Sequence, residues 1–216
     1  MASNSGARPP IQRTFSRIYE KQLWGRGSGA GSHPKHNAGY VAFVQSFLRS
    51  RDIRSVVDLG CGDWQFSHAI DWGEAQYLGL DLVPSVIEDN RSRHGSASIR
   101  FEVFTGEPHE LPAADLLLVK DVLQHWSNDR IEAFLANLGR FRCALITNCI
   151  DPSGRTVNHD IADGDFRPLD LLQEPFKLEA ETVYAFSKHR ALPLRLFRKG
   201  GWSKRVLLVT NETASV

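Results

Sequence analysis

Several apolar runs in this chain are solid rather than alternating. VVDL, YLGL, LLLV, CALI and VLLV each gather three or four apolar residues in a stretch of four, flanked by polar or helix-forming segments. A strand with water on one face alternates, whereas a strand covered by helices on both faces reads as an unbroken apolar run. Strand positions are expected at Ser55–Leu59, Gln76–Leu80, Ile99–Phe104, Leu116–Lys120, Cys143–Asn148, Lys177–Phe186 and Lys204–Thr210. Helical spacing fills gaps between them: Pro84 opens a helix running toward Gly95, and Ile131, Phe134, Leu135 and Leu138 mark another that stops near Gly139. Upstream, Phe15, Ile18, Tyr19 and Leu23 share one helical face, and Tyr40, Phe43, Val44, Phe47 and Leu48 share another. The pattern is an α/β chain with a mostly parallel sheet.

At 216 residues and 42% hydrophobic content, the chain suits one enzyme-sized domain. A net charge of +1 supplies no single-signed field for a polyanion or an acidic membrane, so neither nucleic acid nor membrane is indicated as a partner. Cys61, Cys143 and Cys149 are odd in number and lack CxxC spacing, and they read as reduced thiols of a cytoplasmic protein. No signal peptide is apparent, and the first dozen residues are expected to be disordered. The oligomeric state is left open.

The stretch SVVDLGCGDWQFSHAI sharpens the functional reading. In an open α/β sheet, ligands bind beyond the carboxyl ends of the strands where the strand order reverses. Asp58, Gly60 and Gly62 end such a strand, and the glycines let the backbone turn and approach a ligand closely. A helix is expected after Asp63. Gln65 stands where the dinucleotide pattern needs its third glycine, which disfavours a dehydrogenase. An acid in this loop suits a ligand carrying an ammonium group. Asp81, at the end of YLGLD, is placed to accept hydrogen bonds from a ribose diol. An amino acid joined to a nucleoside satisfies both.

VVDLGCGDW, YLGLD, DLLLVKDVLQHW and KRVLLVT together resemble the class I S-adenosylmethionine-dependent methyltransferases over Ser55 to Thr210. The resemblance implies a Rossmann-like seven-stranded sheet of order 3-2-1-4-5-7-6 with the last strand antiparallel. It also implies S-adenosylmethionine (SAM) as cofactor, the methionine part at Asp58, Gly60 and Gly62, and the ribose at Asp81. Family members often carry an Asp after strand 3 for the adenine. This chain reads FEVFTGEP, which leaves Phe104 and Thr105 as the positions.

Methyl transfer to a hydroxyl or ammonium needs alignment and removal of a proton. Asp121 and His125, where the fourth strand gives way to its loop, are the catalytic candidates, His125 because its ordinary pKa lies near neutrality. A buried histidine that merely orients the loop is the competing reading. Asn148 and Asp151 are too generic to suggest a metal site, so no metal is expected. The long polar loop Asn148–Asp170 is the expected acceptor side, with Asn158, Asp160 and Arg167 as a group. Residues 1–50, with the glycine-rich stretch Trp24–His33, form a tail and helical lid on a methyltransferase core at 51–216. The expected activity is methylation of an O or N nucleophile on a small polar metabolite or sugar. A protein side chain as acceptor, or a non-catalytic SAM-binding module, is the alternative.

Overall fold

The computed structural model describes residues 10–25, 27–151, 153, 155–188 and 202–211. Seven strands form one sheet in the order β3-β2-β1-β4-β5-β7-β6. They are β1 (Ser55–Leu59), β2 (Gln76–Asp81), β3 (Ile99–Val103), β4 (Ala114–Lys120), β5 (Phe141–Ile150), β6 (Glu181–Lys188) and β7 (Trp202–Thr210). β7 runs antiparallel to both β5 and β6, while β1 to β5 pair in parallel. Among the described residues the α-helices are α1 (Pro10–Glu20), α2 (Pro34–Ser50), α3 (Pro84–His94) and α4 (Asn128–Leu135).

Because successive strand residues point to opposite faces, each solid apolar run feeds two cores. Val57, Leu59, Leu117, Val119, Ala144, Ile146 and Leu207 pack with Ile11, Phe15 and Ile18 of α1 and with Ile131 and Phe134 of α4. Val56, Leu116, Leu118, Leu145, Val206 and Leu208 pack on the other face with Tyr40, Val44 and Phe47 of α2 and Ile87 of α3. Both N-terminal helices are thus built into the two faces of the sheet.

Three expectations need correction. No α-helix follows Asp63: between β1 and β2 there is only a 3-10 turn at Ser67–Ala69. Trp64, at φ +54, turns its buried indole back under the loop, where Nε1 donates to the Tyr77 hydroxyl at 2.8 Å, and the chain cannot coil forward from that conformation. The sixth strand begins at Glu181 rather than near Lys177, because Lys177 is still turning, with φ +43 and its N–H on the Gln173 carbonyl. Disorder over the first dozen residues fails for Pro10 to Gln12, which open α1; residues 1–9 lie outside the described residues. The cysteines are free, Cys61 and Cys143 buried and Cys149 half-buried. Among the described residues, no helix is long and apolar enough to cross a membrane.

Candidate active site

The crevice at the carboxyl ends of β1 and β4 begins at two glycines that no other residue can replace without strain. Gly60 sits at φ +74, and a Cβ there would lie 2.3 Å from Val122 Cγ2; Gly62 sits at φ +55, with Ser28 Oγ 2.1 Å from the same added atom. The loop's polar groups are tied down from several sides. Gly60 and Cys61 N–H donate to the Leu80 carbonyl at 2.7 and 3.0 Å, Gly62 N–H donates to Asp81 Oδ2 at 3.1 Å, and Asn90 Nδ2 donates to the Gly62 carbonyl at 2.7 Å. These bonds replace the free N–H groups of the expected helix.

A cleft of about 570 Å³ opens beside this loop. It is lined by Gly60, Gly62 and Asp81, by Leu82 and Phe104 beyond β2 and β3, by Lys120, Asp121, Val122, His125 and Trp126 beyond β4, and by Phe15, Tyr19, Trp24 and Ser28 from the N-terminal segment. Asp81 is held in register by Gly62 N–H on Oδ2 and Val83 N–H on Oδ1, and burial raises its pKa to about 6. Asp58 does not line the cleft. Its carboxylate accepts the Tyr77 hydroxyl at 2.6 Å behind the loop, and burial raises its pKa to about 6 as well. Phe104 reaches the cleft wall, whereas the exposed Thr105 donates its hydroxyl to Glu110 at 2.6 Å and does not.

The N-terminal segment is latched to the glycine loop through Ser28. Its hydroxyl donates to Asp63 Oδ1 at 2.7 Å, accepts Asp63 N–H at 2.9 Å and meets the Tyr19 hydroxyl at 2.9 Å. With its single proton on Asp63, Ser28 Oγ accepts from Tyr19.

At the end of β4 lies a buried ion cluster. Asp121, a non-glycine residue at φ +62, takes Lys120 Nζ on Oδ2 at 2.6 Å and Lys204 Nζ on the same oxygen. Burial alone raises the pKa of Asp121, but Lys120 and Lys204 hold it below the ordinary value. Lys120 is itself lowered to about 8 by burial, and its Nζ also donates to the Gly31 carbonyl at 3.1 Å. Such a carboxylate stays ionised and accepts hydrogen bonds. Its Oδ1 is buried without a hydrogen-bond partner among the described residues.

His125 follows on a 3-10 turn, Leu123–His125, with its ring 4.7 Å from Trp24 and 5.6 Å from Phe166. Its Nδ1 lies 2.8 Å from the Asp165 carbonyl, which can only accept, so Nδ1 carries the proton and Nε2 keeps a lone pair. Burial lowers the pKa of the ring, favouring this neutral form.

None of Asn158, Asp160 and Arg167 lines the cleft. Buried Arg167 donates through Nη1 to the Trp126 carbonyl at 2.8 Å and through Nη2 to Asn128 Oδ1 at 2.8 Å. Asn158 donates to the Asp170 and Glu174 carbonyls, and Asp160 accepts Asn128 N–H at 2.7 Å. The reason is local. A long loop carries many backbone polar groups that need partners, and its own polar side chains supply them. Sequence reasoning misses Tyr19, Ser28, Asp63, Trp126 and Lys204 as site residues, although all but Tyr19 lie in stretches it highlights; the pairing of Ser28 with Asp63 spans 35 residues of sequence. Among the described residues, no three His, Cys, Asp or Glu side chains come together as a metal ligand set.

Comparison with known proteins bears on this site. The family described as "Methyltransferase domain" matches residues 56–142, which span β1 through the start of β5. No curated protein matches the chain significantly. Among solved structures, a SAM-dependent methyltransferase from Anabaena variabilis is 12% identical, with a TM-score of 0.63 over 98% of this chain and 99% of that one. The N-methyltransferase NodS of Bradyrhizobium japonicum, solved with S-adenosylhomocysteine, is 12% identical, with a TM-score of 0.61 over 92% and 99% of the two chains. Magnesium protoporphyrin IX methyltransferase of Synechocystis, also solved with S-adenosylhomocysteine, is 13% identical, with a TM-score of 0.60 over 94% and 98%. At such identities the likeness concerns the fold. With the domain matched over residues 56–142, the strand order 3-2-1-4-5-7-6 and a glycine cradle facing the buried Asp81 carboxylate, the chain carries an S-adenosylmethionine-dependent methyltransferase domain with the class I, Rossmann-like fold.

Proposed function

We propose that this methyltransferase acts on a hydroxyl or amino group of a small polar acceptor, sugars among them, and that His125 receives the acceptor's proton. The carrying observation is the fixed imidazole at the cleft wall: the Asp165 carbonyl selects the tautomer whose lone pair is on Nε2, and burial keeps the ring neutral. When bound, the donor supplies an electrophilic methyl on a sulfonium. Gly60 and Gly62 let the backbone approach it, Asp81 accepts from its ribose, Phe104 packs against its adenine, and Asp58 and Thr105 stay behind these surfaces. Asp121 offers Oδ1 to orient the acceptor, with Lys120 and Lys204 holding the carboxylate ionised. Asn158, Asp160 and Arg167 are read as braces rather than acceptor contacts. Together with Gly164 N–H on the His125 carbonyl at 2.8 Å, they fix the loop that presents Asp165 to His125. The glycine-rich stretch between α1 and α2, latched through Ser28 to Asp63, serves as the lid of this site, while the two helices themselves are core.

The test is release of S-adenosylhomocysteine with a gain of one methyl in the acceptor, screened over a metabolite library. In His125→Gln, kcat is expected to fall by about 10²-fold or more with donor affinity retained. In the wild type, activity is expected to be full while His125 is neutral and to drop as pH falls through its lowered pKa, below about 6.5. Donor binding without turnover on any acceptor would favour a non-catalytic SAM-binding module, and an unchanged kcat in His125→Gln would remove His125 from the chemistry.

A further inference from the structure

The donor's adenine needs a hydrogen-bond partner that the expected positions do not provide. The Phe104 side chain is a hydrocarbon ring, and the Thr105 hydroxyl is turned away onto Glu110. The apolar part of the cleft lining is made by Phe15, Leu59, Leu82, Phe104, Val122 and Trp126. One side chain among these carries a polar hydrogen. Trp126 is 1% exposed, and its Nε1–H has no partner among the described residues, although a buried indole N–H ordinarily finds one.

We infer that Trp126 recognises the adenine of the bound donor, its indole N–H donating to a ring nitrogen. An indole N–H can only donate, so the atom opposite must carry a lone pair, which the unsubstituted ring nitrogens of adenine do. The residue is held for such a task. Its carbonyl accepts Arg167 Nη1 at 2.8 Å, its ring meets Phe134 edge-on at 6.1 Å, and the Arg130 guanidinium lies 5.9 Å from the ring centre. Arg167, buried and outside the cleft, thereby acquires a purpose as the positioning residue behind Trp126. An apolar slot with one fixed donor also selects among purines: a ring nitrogen that bears hydrogen meets the indole N–H donor to donor, and is rejected.

The inference rests on the donor and not on which acceptor is methylated, so binding alone tests it. S-adenosylhomocysteine and its 1-deaza, 3-deaza and 7-deaza analogues, each with one ring nitrogen replaced by CH, are titrated calorimetrically into the wild type and Trp126→Phe. The expected result is that one analogue binds the wild type about fivefold to tenfold more weakly than the parent, as loss of one neutral hydrogen bond implies. Trp126→Phe should bind the parent with the same deficit and no longer distinguish that analogue from it. The inference is overturned if the wild type binds all three analogues like the parent, a result that needs no variant, or if the discrimination persists in Trp126→Phe. Failure of S-adenosylhomocysteine itself to bind the wild type would instead strike at the donor assignment.

Discussion

The loop after β1 and the loop after β5 both look polar and functional in sequence, yet they direct their side chains differently. After β1, the backbone satisfies itself through Leu80, Asp81 and Asn90, which leaves Asp81 at the cleft wall with oxygens able to accept further bonds. After β5, the backbone pairs at only a few points, with the Cys149 carbonyl of β5 and the Gln124 and His125 carbonyls after β4, so buried Asn158 and Arg167 and exposed Asp160 bind carbonyls and N–H groups of their surroundings. A short loop between two strands can show its polar groups to a ligand; a long one consumes most of them in holding itself together.

The strongest challenge to this contrast is Arg167→Met. Removal of the guanidinium leaves the Trp126 carbonyl and Asn128 Oδ1 buried without their donor, so stability is expected to fall by about 3 kcal/mol, or roughly 10 °C in melting temperature. Denaturant and thermal unfolding measure it. An unchanged midpoint with a raised acceptor KM would restore Arg167 as an acceptor contact and erase the difference between the loops.

Asp81→Asn gives the converse pattern on the donor side. Loss of a charged acceptor is expected to weaken donor binding by about tenfold to a hundredfold while stability falls by only about 1 kcal/mol, because relief of the carboxylate's desolvation penalty offsets most of the cost of the one N–H, of Gly62 or Val83, that the amide no longer accepts. The pH dependence has a definite sign. A pKa raised to about 6 means that protonation favours the folded apo form as pH drops, whereas ribose hydroxyls that donate to Asp81 need it ionised. Donor affinity should therefore be full above pH 6 and decline below it, and the decline should vanish in Asp81→Asn. Calorimetry between pH 5 and 8 decides, and a flat profile in the wild type would leave Asp81 as a brace of the Gly62 and Val83 N–H groups.

What the sequence made legible follows from range. Solid apolar runs announce strands buried on both faces, and two glycines beside an acid at a strand end announce a ligand loop, because both signals are carried by adjacent residues. The strands and the position of Asp81 at a strand end are legible for that reason, whereas the sheet order comes only with the resemblance to the methyltransferases. Trp64 at positive φ in place of a helix, the Lys204 partner of Asp121 and the inward turn of Arg167 depend on residues that meet only in the folded chain. His125 lies between. Its place after β4 was visible, but the Asp165 carbonyl that sets its tautomer is 40 residues away.

The N-terminal segment offers the finest test, because it belongs to neither loop and is latched to the glycine loop through one hydroxyl. Ser28 Oγ donates to Asp63 Oδ1, accepts from Asp63 N–H and meets Tyr19, in a glycine-rich stretch that is otherwise held at Gly31, whose carbonyl accepts from Lys120 and Asn37. If that stretch is a lid, the latch should govern opening and not folding. Ser28→Ala removes a hydroxyl linked to three groups near the protein surface, an effect of about 1 kcal/mol and hence roughly fivefold in the opening equilibrium. Amide exchange across Ser28 to Ser32 should speed up by that factor, and the donor should dissociate faster by a similar one, while the global unfolding midpoint barely moves. A midpoint that drops as far as in Arg167→Met would make the segment part of the core's own stability. Unchanged exchange with an intact midpoint would make it a linker that simply rests on the glycine loop.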